Sequence, residues 1–211
     1  MLPINPTNHA IRLTTTLNLL LAKEACAPRY RHLVRSLGGL AYGQDKPINL
    51  LYILKSNGVE DVLWALRATQ QSCRVVARLM ACDFAEEVLP LYECIYPNDA
   101  RLRNTIETGR RYALGLDTKE ARDTARQTAL YVTSEAIDEG LKDVARAAAA
   151  ASWWDDKLHT IPGAAAGYAA WAAARTARKS KTGDAADKVW VAAWKTTLTA
   201  QGEIIRQYLL P

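Results

Sequence analysis

The chain is poor in the residues from which chemical sites are usually built. Its 211 residues include three histidines, four cysteines, two methionines and one phenylalanine. Cys26, Cys73, Cys82 and Cys94 form no CxxC pair and no dense framework of the kind that staples small secreted domains, so reduced, buried thiols are expected. His9, His32 and His159 stand away from any carboxylate motif, which leaves no ExxH half-site and no metal-ligand spacing. There is no nucleophile motif and no phosphate-cradling glycine loop. No run approaches the roughly 18 to 20 apolar residues needed to span a bilayer. Neither a cofactor nor a metal nor a membrane partner is therefore expected, and an enzyme would need convergent polar groups that the spacing does not supply.

What is abundant is alanine, together with six tryptophans and nine tyrosines. Alanine is the strongest helix former, and alanine stripes let helix backbones approach closely. The composition predicts an all-α protein: a single compact multi-helix domain, built as an irregular array of helical hairpins. Its parts are N-terminal helices and a loop over 1–47, a central region over 48–115 and an Ala/Trp-rich helical region over 116–211. The short apolar run Leu17 to Ala22, followed by Ala25-Cys26-Ala27, imitates a signal-peptidase site. Lys23 and Glu24 interrupt it, so the segment reads as the first helix of a cytoplasmic protein.

Helical spacing predicts helices over Asn8 to Lys23, Ala27 to Leu37 and Ile48 to Lys55, with Gly38-Gly39 and Asn57-Gly58 as stops. In Val59 to Thr69, Val59, Val62, Leu63 and Leu66 share one arc, while Trp64 points to the other side with Glu60 and Arg67. Such a tryptophan is either covered by a neighbouring helix or anchors a partner protein. The first reading predicts a Trp64 substantially buried by another helix.

Gln70 to Leu79 is expected to continue as helix, and Met80 to Tyr96 places Phe84, Ala85, Val88, Leu91, Tyr92 and Ile95 on one face. Asp83, Glu86, Glu87 and Cys94 occupy the opposite face. These carboxylates read as a solvated or salt-bridged surface rather than as an acid–base pair. Pro90 removes a backbone donor and is expected to kink this helix near Glu86.

The segments NGVEDVLWALRA and LMACDFAEEVLPLYECIYPNDARLRNTIETGRRYALG, preceded by YRHLVRSLGGLAYGQDKPINLLYIL, resemble the immunity-5-like domain of bacterial polymorphic-toxin immunity proteins. The likeness runs from about Tyr30 to Gly115, and Asp61, Trp64, Arg67, Asp83, Glu86 and Pro90 match the family pattern. It implies an all-helical, non-enzymatic protein, also found in phage genomes, that neutralises a toxin or a defence effector by binding it. No binding residues come with the family. On this chain the candidates for partner contact are Trp64, Asp83, Glu86, Glu87 and Trp153.

The formal net charge is +5, which suits an acidic target better than a basic nuclease cleft, unless a local acidic patch does the binding. Arg101, Arg103, Arg110, Arg111, Arg175, Arg178 and Lys179 carry the alternative reading, a basic helical nucleic-acid-associated or phage accessory protein. They lack the aromatic interleaving of a single-strand binder and any groove-reading motif.

Towards the C-terminus, Pro97-Asn98-Asp99 breaks the run and is placed to cap Ala100 to Leu114. Asp117 with Glu120 looks like a capping box for a helix reaching Glu139-Gly140. Leu141 to Asp155 forms the next helix, and its Trp153-Trp154 pair cannot share one face. Gly163 to Gly167 is a formal GxxxG whose small face is expected to allow tight packing. Trp190, Trp194 and Leu198 form a stripe that continues to Ile205 and Leu209 and reads as core or a helix-docking seam.

Overall fold

A computed structural model describes residues 9–153 and 160–211. Trp154 and His159 lie outside the described residues. The architecture is all-α, as the composition predicts.

The N-terminal part opens with strand β1 (Thr14–Thr15), followed by α1 (Leu17–Ala22) and α2 (Ala27–Ser36). Strand β2 (Ile48–Asn49) leads into α3 (Leu50–Asn57) and α4 (Val59–Ala65). Then come α5 (Arg74–Glu93), α6 (Arg101–Ala113), α7 (Lys119–Glu135), α8 (Glu139–Ala151), α9 (Thr160–Arg178) and α10 (Gly183–Tyr208).

The single helix expected over Asn8 to Lys23 is replaced by β1 and the short α1, and the reason is local. Thr14-Thr15-Thr16 is a β-branched run that favours extended backbone. Thr15 pairs with Ile48 and Thr14 with Asn49 in an antiparallel ladder, which also delays the start of α3 from Ile48 to Leu50. The Thr16 hydroxyl then caps α1 by accepting from the Leu19 N–H at 3.1 Å.

The helix expected to run on from Thr69 is broken for a related reason. The Gln70 N–H donates to the Thr14 carbonyl at 2.8 Å, and the Thr14 N–H donates to Gln71 Oε1 at 2.8 Å. The Thr15 hydroxyl reaches the Ala68 carbonyl at 2.6 Å. A buried strand needs partners for its backbone groups, and this turn supplies them. Residues 69 to 73 therefore leave the helical path and α5 begins at Arg74.

Helix α5 is the central element, packing against α6, α8, α9 and α10. Its buried side chains lie on most sides of the helix, from Val76 to Tyr92, rather than on one face. The helix runs through Pro90, whose missing N–H falls in the last turn. Ile95 lies beyond the helix and is exposed rather than part of the apolar face.

Alanine sets the spacing around α5. Ala145, Ala147 and Ala148 on α8 and Ala165, Ala169 and Ala172 on α9 are fully buried. At Gly109 on α6, an added Cβ would meet Cys82 Sγ at 3.2 Å and the Ala151 carbonyl at 3.3 Å. Backbones this close leave room for small side chains only. One contiguous hydrophobic cluster runs from Leu13 to Leu209 and joins both ends of the described chain.

The cap of α7 is Thr118, which accepts from the Ala121 N–H at 3.1 Å, one position later than the expected Asp117. That helix stops at Glu135, because Ala136 is extended and Asp138 caps a new helix by accepting from the Leu141 N–H at 3.1 Å. The α8–α9 contact is stapled by the fully buried Asp143. It accepts from Arg146 Nη1 at 2.7 Å and from Arg175 Nε at 2.8 Å.

All four cysteines are free, as expected, but only Cys73 and Cys82 are buried, while Cys26 and Cys94 are exposed. No helix among the described residues is long and apolar enough to cross a membrane.

Candidate partner-binding groove

Helix α4 makes few contacts with α9 and α10, and the space left between them is the candidate site. A cavity of about 410 Å³ is walled by Trp64 and Leu63 of α4, Trp171 of α9, and Trp194 and Leu198 of α10. Its floor is the Gly163, Ala166, Gly167 and Ala170 stripe of α9. An added Cβ at Gly163 or Gly167 would meet nothing within 4 Å. The formal GxxxG therefore does not mark tight helix packing as expected: its missing side chains keep the groove open.

Trp64 is half-buried and packs against the core from one side. It also lines a second cavity of about 240 Å³ between α4, α2 and α3. The expected cover by a neighbouring helix is met only in part. What lies over its ring is Arg67, with Cζ 4.6 Å from the ring centroid. Burial lowers the pKa of Arg67 from the ordinary arginine range, and among the described residues it has no carboxylate partner. Its Nε donates to the Trp64 carbonyl at 3.2 Å.

Gln201 contributes the most unusual group of the groove. The residue is 0% exposed, and its Nε2 donates to the Ala166 carbonyl at 2.9 Å. Its Oε1 has no hydrogen-bond partner although the residue lines the cavity. A buried amide oxygen left unpaired costs about 1–3 kcal/mol. Glu60, at the polar rim, is already paired: Arg29 of α2 reaches Glu60 Oε2 at 2.6 Å and also Asp61 Oδ1 at 2.5 Å. The Asn57 amide also donates to Asp61 at 2.8 Å.

The acidic face of α5 is engaged within the molecule. Arg110 of α6 holds both Asp83, at 2.6 Å, and Glu86. The Tyr208 hydroxyl donates to the second oxygen of Asp83 at 2.6 Å. This network ties α5 to α6 and α10, and it raises the pKa of Arg110: burial acts to lower it, but the Glu86 and Asp83 contacts outweigh that. Trp153 is 42% exposed, with Arg126 Cζ 5.0 Å over its ring. Neither Asp83, Glu86 nor Trp153 lines the groove that Trp64 shares.

Glu87 is different, because burial pushes its carboxyl up to about 7 and its Oε2 lacks a hydrogen-bond partner. The folded chain thus holds the proton more tightly than the unfolded chain, whose Glu titrates near the ordinary 4.5. The stability this contributes is fully present below that value and is lost as pH rises through about 7. Glu87→Gln should flatten the fall in melting temperature between pH 5 and pH 8. It should leave the variant about 1–2 kcal/mol more stable at pH 8, after allowance for the carboxyl's partial exposure. Equal pH slopes in variant and parent would contradict this.

The basic residues of the nucleic-acid alternative are each paired in the fold. Arg101 binds Asp99 at 2.7 Å and Glu135 at 2.6 Å, and its guanidinium holds the Asp99 carboxyl well below the usual range. Arg103 binds Glu93 at 2.7 Å, Arg111 binds Asp117 at 3.3 Å, and Arg175 binds Asp143. Arg178 reaches Asp187 at 3.3 Å and Lys179 reaches Asp138 at 2.9 Å. Among the described residues no group of three His, Cys, Asp or Glu side chains could hold a metal ion.

Gln201, Arg67 and the two glycines are the groove residues whose role the sequence did not give. One signal was legible, since Gln201 interrupts the Trp194, Leu198, Ile205 stripe at a core position.

The fold and the site together define an all-helical protein with a tryptophan-walled groove. Comparison with sequence-family models, curated proteins and solved structures finds no match for this chain.

Proposed function

We propose that this chain is a non-enzymatic interaction protein that neutralises a toxin or defence effector by direct binding, as the resemblance to immunity-5-like domains implies. We place the contact in the groove between α4, α9 and α10. The observation that carries this reading is the cavity walled by Trp64, Trp171 and Trp194, whose lining includes Gln201 with its buried, unpaired amide oxygen. Part-exposed tryptophans around a desolvated polar group are the common anatomy of a binding hot spot.

The chemistry of the groove selects its occupant. An apolar or aromatic side chain fits between the tryptophans, a neighbouring N–H or O–H donor satisfies Gln201, and an acidic residue pairs with Arg67. The partner segment is therefore an apolar residue flanked by a carboxylate, and the net charge of +5 favours its approach. The paired state of Arg101, Arg103, Arg110, Arg111, Arg175, Arg178 and Lys179 leaves these side chains less available to a phosphate backbone.

The test is capture of the partner from host cells, followed by co-expression of the recovered protein with this chain. Neutralisation of the partner's toxicity by the parent, and its loss in Trp171→Ala, supports the proposal. Trp171 is 42% exposed, so the substitution should change stability by less than about 1 kcal/mol while lowering affinity by about 30-fold or more. Full protection by Trp171→Ala removes the groove from the account, and absence of any neutralisation removes the inhibitor reading.

A further inference from the structure

A second group of residues, away from the groove, is built in a way that the fold alone does not require. Arg78 of α5 is 8% exposed and Arg122 of α7 is 1% exposed. Their guanidinium carbons lie 4.9 and 4.5 Å from the centroid of the same ring, Tyr112 of α6. Arg74 and Arg126 stand one helical turn from them, on the same faces of α5 and α7.

The donors of this group are not used up. Arg78 Nε and Nη2, Arg122 Nη1 and Arg126 Nε are buried without a hydrogen-bond partner. Among the described residues the carboxylate in contact is Asp123, which takes the other side of Arg122. A guanidinium stays charged at any accessible pH, so it cannot relieve its burial by losing a proton. Like charges gathered in a poorly solvated place destabilise the fold unless a counter-ion joins them. Burial above all lowers the pKa of Arg78, Tyr112 opposes the shift, and the charges of Arg74 and Arg122 add to it.

We propose that Arg78, Arg122 and Arg126, around Tyr112 and Trp153, form a binding site for a small phosphate-type oxyanion. The unused donors belong to guanidiniums on two different helices, two of them over the same Tyr112 ring. A tetrahedral oxyanion offers acceptors to all of them, whereas a carboxylate offers two oxygens in one plane. The exposed Arg74 and the part-exposed Asp123 and Trp153 give the ion a way in. This site is independent of the tryptophan groove and could hold a free phosphate or the phosphate of a nucleotide.

The experiment is thermal unfolding of the full chain in 10 mM inorganic phosphate against chloride at matched ionic strength, with calorimetric titration of phosphate alongside. The parent should gain at least about 2 °C in phosphate. Arg78→Met keeps an apolar stem of similar length and should lose the response. Arg126→Gln, at a half-buried position, serves as the second variant and should weaken phosphate binding about tenfold. A parallel titration with adenosine monophosphate assigns the source: tighter binding than phosphate points to a nucleotide, and equal binding points to the free ion. No shift in the parent, or the same shift in the parent and both variants, overturns the proposal.

Discussion

Phe84→Ala should lower the folding free energy by about 3–5 kcal/mol, at the upper end of large-to-small core substitutions. Phe84 is the single phenylalanine of the chain and is 0% exposed in the middle of α5. The size of the loss depends on whether neighbours can collapse into the space. Two of the helices packed on α5, α8 and α9, bury mainly alanine, as at Ala145, Ala148, Ala165 and Ala169, and alanine has no rotamer that could swing into the gap. Backbone movement is the remaining route, and Gly109 already holds α6 at contact distance from Cys82 and Ala151. The cavity should therefore persist, with a melting temperature lower by roughly 10 °C. A loss below about 1.5 kcal/mol in urea titration would mean that the alanine-rich layers rearrange more freely than close packing implies.

Gly167→Leu should have the opposite effect on the fold and a larger effect on function. Gly167 lies inside α9, in the floor of the groove, with open space where a Cβ would stand. A glycine in a helix interior costs about 0.5–1 kcal/mol relative to alanine, so a better helix former should leave stability unchanged or raised. The leucine side chain would fill the space between Trp171 and Trp64 in which we propose that a partner's apolar residue sits. Affinity for the partner should fall at least about 100-fold, near 2.7 kcal/mol. Because fold and binding move in opposite directions, a loss of binding cannot be ascribed to unfolding.

The fold class was legible because alanine content and helical spacing are averages over many residues, and averages survive local exceptions. Those exceptions have identifiable causes. The threonine run at Thr14 and its pairing with Ile48 and Asn49 are contacts between distant segments, and the break at residues 69 to 73 follows from the same strand. Periodicity within one segment carries no trace of either.

The same limit applied to the site. The placement of Trp64 opposite the apolar arc of α4 marked it as a residue needing an explanation, and it stands on the wall of two cavities. Asp83 and Glu86 read as a solvated or salt-bridged face, and only the fold shows that Arg110 and Tyr208 are the partners. The GxxxG pattern was visible, but whether small residues admit a helix or leave a groove depends on how closely α4 approaches. The buried Arg78 and Arg122 went unnoticed in the sequence, because nothing in either segment says that they meet at Tyr112.

The central claim is that the tryptophan groove receives the partner. Its most direct measurement is calorimetric titration of the partner into the parent and into Gly167→Leu, with the melting temperature of each recorded in the same buffer. The account predicts a dissociation constant at least about 100-fold weaker for Gly167→Leu, with a melting temperature equal to or above that of the parent. Equal dissociation constants for the two proteins would contradict it.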